Sequence, residues 1–257
     1  MILAADHTAR GMLAVGKDPL AVANRYTLLD NLMRGLSVPG VDGVMASADI
    51  LEELAWLGAL EGRIAIGTIN RGGLKGALWE LDDRITAYDP DHIASAGLDG
   101  GKLLLRIEFT DPGVARTIEM CGAVTTKLAD QGIACMIEPL PYLKDESGRA
   151  HLDTRDEELI RAVAIASGLG SSSAFTWLKI PATPRIAEVA AATTMPILLL
   201  GGDPGEQWQD VVDGWERAMR EPNVRGLIPG RALLYPHDGD VEGIVATAAR
   251  IVHGDGP

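Results

Sequence analysis

Eight short apolar segments alternate with helix-like segments through 257 residues, and each pair takes about 30 residues. Near-continuous apolar strands belong to a parallel sheet covered by helices. Together these observations predict one α/β domain over residues 1–257, a single (β/α)8 TIM barrel. An open doubly wound sheet is the alternative, and the even spacing of eight units favours closure. Hydrophobic residues make up 47% of the chain and aromatics 4%, so the core must be aliphatic.

The strands are expected at Ile2–Ala5, Val41–Ala46, Arg63–Ile69, Lys102–Ile107, Ile133–Ile137, Phe175–Pro181, Met195–Leu200 and Val224–Ile228. Pro19 opens the first predicted helix, with Leu28, Leu32 and Leu36 at helical spacing. Ser47 or Asp49 caps a second, running through Leu60. A long loop from Leu74 precedes a short helix near Asp91–Ala96. Asp111-Pro112 caps a helix carrying Val114, Ile118, Cys121, Val124 and Leu128 on one face. Glu138-Pro139 closes the fifth strand, and a polar loop at Lys144–Leu152 leads into a helix over Asp153–Gly168. Helices at Pro184–Thr193, around Trp208–Met219 and over Val241–Val252 complete the units.

A net charge of −13 argues against nucleic acid and anionic membrane as partners. No apolar run reaches the roughly 18 residues of a membrane span, and the N-terminus has no basic region before its apolar residues. Cys121 and Cys135 form no CxxC motif, which suits a reducing cytosol. A cytoplasmic homo-oligomer is the expectation. The five histidines show no metal-ligand spacing, and no dinucleotide, Walker or nucleophile-elbow motif is present, so neither metal nor cofactor is expected.

In such a barrel the active site lies at the C-terminal ends of the strands. Polar residues collect there: Asp6 and His7 after the first strand, Asn70 and Arg71 after the third, Lys102 and Arg106 on the fourth, Glu138 on the fifth and Lys179 on the sixth. Strand parity turns Lys102, Leu104 and Arg106 inward, and Trp177 with Lys179. A lysine ending an apolar strand, buried beside a tryptophan and near other cations, is pushed toward the neutral, nucleophilic amine. The alternative is a filler network of Lys102, Arg106, Glu138 and Asp6. Gly201-Gly202, in the loop continuing through Asp203–Gly205, and Gly230-Arg231 follow the seventh and eighth strands. Those loops commonly build a phosphate site in this fold. Arg231 supplies a bidentate contact there, and Arg10 is a weaker anion candidate.

The ordered set Ala4-Ala5-Asp6-His7, Lys102–Arg106, Ile137-Glu138-Pro139, Trp177–Pro181, Leu200-Gly-Gly202 and Pro229-Gly-Arg231 resembles the class I, Schiff-base aldolases of the barrel superfamily. That superfamily includes deoxyribose-phosphate, tagatose bisphosphate and archaeal-type fructose bisphosphate aldolases. The tagatose bisphosphate branch, with its sulfofructose phosphate members, is the most similar. The resemblance implies Lys179 as the Schiff-base lysine, Glu138 as acid/base and Lys102 as a substrate contact. It places Asp6 beside them, and phosphate on the last two loops. The sequence departs in ending its fourth strand Leu-Arg-Ile without tyrosines, in following Lys179 with Ile-Pro, and in its Asn70-Arg71-Gly72-Gly73 loop. The chain is also similar to aldolase-like proteins found with inositol catabolism, which adds a phosphorylated deoxy-keto-gluconate to the candidate substrates. Two other readings keep the phosphate loops: a phosphosugar isomerase using Glu138, and a sugar-phosphate-binding barrel without catalysis.

Overall fold

The computed structural model describes residues 1–202 and 208–254. It contains the predicted barrel. Strands β1 (Ile2–Ala4), β2 (Gly43–Ala46), β3 (Ile64–Thr68), β4 (Gly100–Ile107), β5 (Ala134–Lys144), β7 (Thr176–Pro181), β8 (Ile197–Leu200) and β9 (Val224–Leu227) pair in parallel in that order. β6 (Ala150–Leu152) is antiparallel to β5 and lies outside the ring. The ring shuts where Ala4 N–H donates to Pro229 O at 2.8 Å, which brings β1 against the end of β9.

Helices cover the outside: α1 (Arg25–Ser37), α2 (Ala48–Trp56), α3 (Pro90–Ser95), α4 (Pro112–Asp130), α5 (Asp156–Ser167), α6 (Ile186–Ala191), α7 (Trp208–Ala218), the short α8 (Arg231–Leu234) and α9 (Val241–His253). Four starts, those of α1, α3, α4 and α9, carry side-chain caps. Asp89, Asp111 and Asp240 each accept a backbone N–H of the first turn, and Pro90 and Pro112 sit at the first helical position. Among the described residues no helix is long and apolar enough to cross a membrane.

Two hydrophobic clusters divide the core. The larger lies between sheet and helices and takes Leu103, Leu105 and Ile107 from β4. The smaller fills the barrel itself with Ile2, Ala4, Met45, Ile66, Met136, Leu198 and Ile228, and Trp177 packs against it. Parity therefore assigned these faces correctly. Cys121 on α4 and Cys135 on β5 are buried free thiols, and burial raises the Cys135 thiol to about 11.

Several boundaries differ from expectation. α1 begins at Arg25 because the Asn24 side chain accepts from Tyr26 N and Thr27 N, whereas Pro19 sits in a turn. α2 stops at Trp56, and Gly58 reverses the chain at φ 73°. β5 does not close at Pro139 but runs through both Pro139 and Pro141. β7 pairs with it only at Cys135–Ile137, so over Glu138–Pro141 β5 pairs with β4 alone, and from Tyr142 it pairs with β6. A proline on the free side of a strand breaks no ladder bond. The expected polar loop at 144–152 is thus a hairpin of β5 and β6, and α5 starts at Asp156, later than expected.

Candidate active site

Above the apolar filling, the inward positions of the strands turn polar. Two residues beyond Ala4, Ile66, Met136 and Trp177 come Asp6, Thr68, Glu138 and Lys179, and Lys102 joins them from β4. Lys102 is 1% exposed, Asp6 2%, Lys179 3% and Glu138 8%. These groups satisfy one another. Glu138 bridges two lysines: Oε2 pairs with Lys102 Nζ, and Oε1 lies 3.3 Å from Lys179 Nζ. Lys102 Nζ also reaches Asp6 Oδ2 at 3.1 Å. The same Asp6 oxygen accepts from Thr68 Oγ1 at 3.2 Å and pairs with Arg71 Nη1 at 2.9 Å.

Two carboxylates among three cations carry a net positive charge, and the ionisations follow from it. Burial raises Glu138 and Asp6, but the cations outweigh it. Lys102 and then Lys179 bring Glu138 down to about 2. Arg71, then Lys102 and Lys179, hold Asp6 well below the ordinary carboxylate range. Burial, followed by the Arg71 charge, lowers Lys102 to about 8 against the pull of Asp6 and Glu138. Both acids are therefore carboxylates at neutral pH, and Lys102 is brought toward the neutral amine.

A cleft of about 170 Å³ at the C-terminal end of the barrel reaches two members of this group, Glu138 and Lys179. Its walls include Glu138, Lys179, His7, Gly201, Gly202, Gly230 and Arg231, with Leu152 contributed by the β5–β6 hairpin. Burial lowers the His7 imidazole to about 3, helped by Arg231 and Lys179, so it is neutral in the folded protein. Glycine is required at 230, where a Cβ would lie 2.4 Å from Ala4 O and 2.5 Å from His7 Cε1. Gly202 adopts φ 65°, which also favours glycine. Arg231 Nη1 donates to Ala14 O at 2.7 Å, so this nitrogen ties the first loop to the last instead of forming half of a bidentate fork. Asp203–Gly205 of the seventh-strand loop lie outside the described residues.

Four sequence candidates are placed elsewhere. Arg106 and Arg10 form a second buried cluster with acids from the 70–85 loop. Glu80 Oε1 accepts from Arg106 Nη1 at 2.9 Å and from Arg10 Nη2 at 3.1 Å, and Arg106 Nη2 meets Asp83 Oδ2 at 3.0 Å. Arg106 keeps the parity of Lys102, but it ends a taller strand and leans into that loop. The filler network therefore forms without Arg106. Asn70 pairs with the β4 backbone, donating to Leu104 O at 2.6 Å and accepting from Leu104 N at 2.7 Å. Trp177 faces inward as parity requires, but two residues below Lys179. At about 3.3 Å per residue that puts it near the opposite mouth, in an apolar cavity of about 190 Å³ with Ile2, Ile66 and Met136. Thr68 was not among the candidates, although it lies on the inward parity of β3. Among the described residues no His, Cys, Asp and Glu cluster is arranged to hold a metal ion.

Residues 1–249 match the family described as Cgl0159-like. The chain belongs to that family. The crystal structure of Cgl0159 from Corynebacterium glutamicum is 45% identical at a TM-score of 0.96, over 99% of this chain and 85% of that one. An archaeal fructose 1,6-bisphosphate aldolase superposes at a TM-score of 0.72 with 18% identity, over 98% of this chain and 93% of that one. A fructose-bisphosphate aldolase from Slackia heliotrinireducens gives 0.64 with 12% identity, over 100% and 86%. These two likenesses are of fold. No curated protein matches the chain in sequence.

Proposed function

We propose that this member of the Cgl0159-like family is a class I aldolase that makes or breaks a carbon–carbon bond of a phosphorylated sugar through a Schiff base on Lys179. The observation that carries the reading is the placement of Lys179. It is buried at the C-terminal end of β7, its Nζ is 3.3 Å from Glu138, and both residues line one cleft. A similarly folded archaeal fructose 1,6-bisphosphate aldolase has been solved with its catalytic lysine bound to the carbinolamine intermediate of its substrate, which supports the same chemistry here.

In this mechanism Lys179 first gives up a proton, and Glu138 Oε1 is the acceptor within reach. The free amine adds to the ketone, and the proton held by Glu138 leaves with the carbinolamine hydroxyl as water, which gives an iminium ion and restores the Glu138 carboxylate. The Glu138 carboxylate takes the proton from the hydroxyl two carbons beyond the iminium carbon. The intervening carbon–carbon bond breaks, its electron pair enters the iminium, and an aldehyde leaves. Protonation and hydrolysis of the enamine restore Lys179. Lys102, between Glu138 and Asp6, connects the two carboxylates and supplies a proton path. The substrate phosphate lies against Gly201, Gly202, Gly230 and Arg231 beside neutral His7.

The test is reduction with borohydride in the presence of a panel of ketose phosphates, read by intact mass. The expected result is an adduct on Lys179 whose mass identifies the bound fragment. No adduct with any member, or an adduct that persists in Lys179→Ala, overturns the proposal. An isomerase would turn over substrate without forming an adduct.

A further inference from the structure

Arg71 makes a contact that neither the proposed chemistry nor the phosphate loops use. It is 5% exposed, and its surroundings fix it closely. Its N–H is held by Thr86 Oγ1 at 3.0 Å, and Nε donates to Asn70 O at 2.7 Å. Nη1 faces Asp6, 2.9 Å from Oδ2 and 3.4 Å from the main-chain oxygen. Nη2 is buried and has no hydrogen-bond partner. A buried guanidinium nitrogen left unpaired is costly, and each such group needs an explanation. Asp6 is complementary to it. Thr68, Lys102 and Arg71 all converge on Oδ2, and Oδ1 makes no hydrogen bond among the described residues.

The pair thus offers one spare donor, Nη2, and one spare acceptor, Oδ1, on two side chains joined by the Nη1–Oδ2 contact. An anion fits poorly, because the Asp6 carboxylate is adjacent and repels it. An alcohol fits both: its oxygen accepts from Nη2 and its proton goes to Oδ1. We infer that Arg71 and Asp6 together read a substrate hydroxyl. The inference rests on the aldolase reading of the same site and extends it to the substrate. A chain of ion pairs leads inward from the cleft shared by Lys179 and the phosphate loops, through Glu138 and Lys102 to Asp6 with Arg71, and we take the substrate to follow that arc. A ketose 1-phosphate laid along that arc puts its carbonyl carbon at Lys179, the 4-hydroxyl at Glu138 and the 5-hydroxyl at the Asp6–Arg71 pair. The preferred substrate class is then a polyhydroxy ketose phosphate whose departing fragment carries a hydroxyl beside the new aldehyde.

The test measures affinity for fructose 1-phosphate and its 5-deoxy counterpart by calorimetry, in wild type and in Arg71→Met. Each ligand is compared between the two proteins, so differences in ring closure cancel. A hydrogen bond to a charged group corresponds to roughly 10- to 150-fold. The expected result is a loss of that size for the hydroxylated ligand, with less than about threefold for the deoxy ligand. Equal losses for both, as a merely structural arginine or one satisfied by water would give, overturn the inference, and so does absence of binding by either ligand to wild type. If Arg71→Met does not fold, Arg71→Lys replaces it. It keeps the charge, loses the fork, and should show the same selective loss at smaller size. Borohydride trapping on wild type separates the two ideas: an adduct with equal losses removes only the role of Arg71, and selective loss without an adduct removes only the Schiff base.

Discussion

Glu138 sits between two lysines, and its charge sets what each can do. With its carboxylate removed, Lys179 loses its counter-ion, Lys102 keeps only Asp6, and the proposed proton acceptor for the substrate hydroxyl is gone. Glu138→Gln should lower kcat by about 10²- to 10⁴-fold, the usual worth of a positioned acid/base, in steady-state assays on whichever ketose phosphate labels Lys179. The acid response divides by residue. His7 titrates near 3 in the fold against 6.5 ordinarily, and Glu138 near 2 against 4.5. In both cases the unfolded chain takes up the proton first as pH falls, so stability is present above the ordinary value and is lost toward the folded one. Urea unfolding should therefore weaken from about pH 6.5 downward. His7→Gln should flatten the profile between about pH 6.5 and 4.5, and Glu138→Gln below about 4.5. Profiles parallel to wild type would contradict these assignments. That Asp6, Lys102, Glu138 and Lys179 face one space was legible, because alternation along a strand needs no partner to be read. The absence of Trp177 from that space was not legible, because parity gives the face of a residue and not its depth.

The loop between β3 and α3 looked loose in the sequence and is held by charge. Glu80 and Asp83 neutralise Arg10 and Arg106, and Gly73 lies in the middle: its O accepts from Arg10 Nε at 3.0 Å and its N donates to Asp83 Oδ1 at 2.8 Å. Removing one partner of a buried pair leaves an uncompensated charge. Arg106→Leu should cost about 3–5 kcal/mol of stability, measured by urea unfolding, while KM for the trapped substrate stays within about twofold, since Arg106 is turned away from the cleft. A large rise in KM with little loss of stability would return Arg106 to the substrate. Gly73→Ala should destabilise in the same assay, because its Cβ would fall 2.0 Å from Arg106 Nη2 and 2.3 Å from Glu80 O. No local pattern announces this cluster: Arg10 and Glu80 are 70 residues apart. The β5–β6 hairpin was hidden for a related reason. Pro139 and Pro141 read as strand breakers until the pairing reveals that β5 has lost one neighbour.

At the scale of the whole molecule the seam between β1 and β9 decides the site. It brings His7 beside Gly230 and Arg231, and it rests on a close approach that only glycine permits. Gly230→Ala should cost about 1–3 kcal/mol, as overpacking does, and should weaken sugar-phosphate binding more than Gly202→Ser, which meets open space. Calorimetry and urea unfolding measure both effects, and an unperturbed Gly230→Ala would mean that the seam is looser than described. The eight-unit barrel, the inward face of each strand and the gathering of Lys179, Glu138, Asp6 and Lys102 at one end were determined by the sequence alone. They depend on periodicity and on which end of a strand a residue occupies. Tertiary structure decided which cations meet which acids, sending Arg106 and Arg10 to Glu80 and Asp83 and bringing Arg71 to Asp6. Charges are interchangeable in a sequence, and only distance assigns their partners.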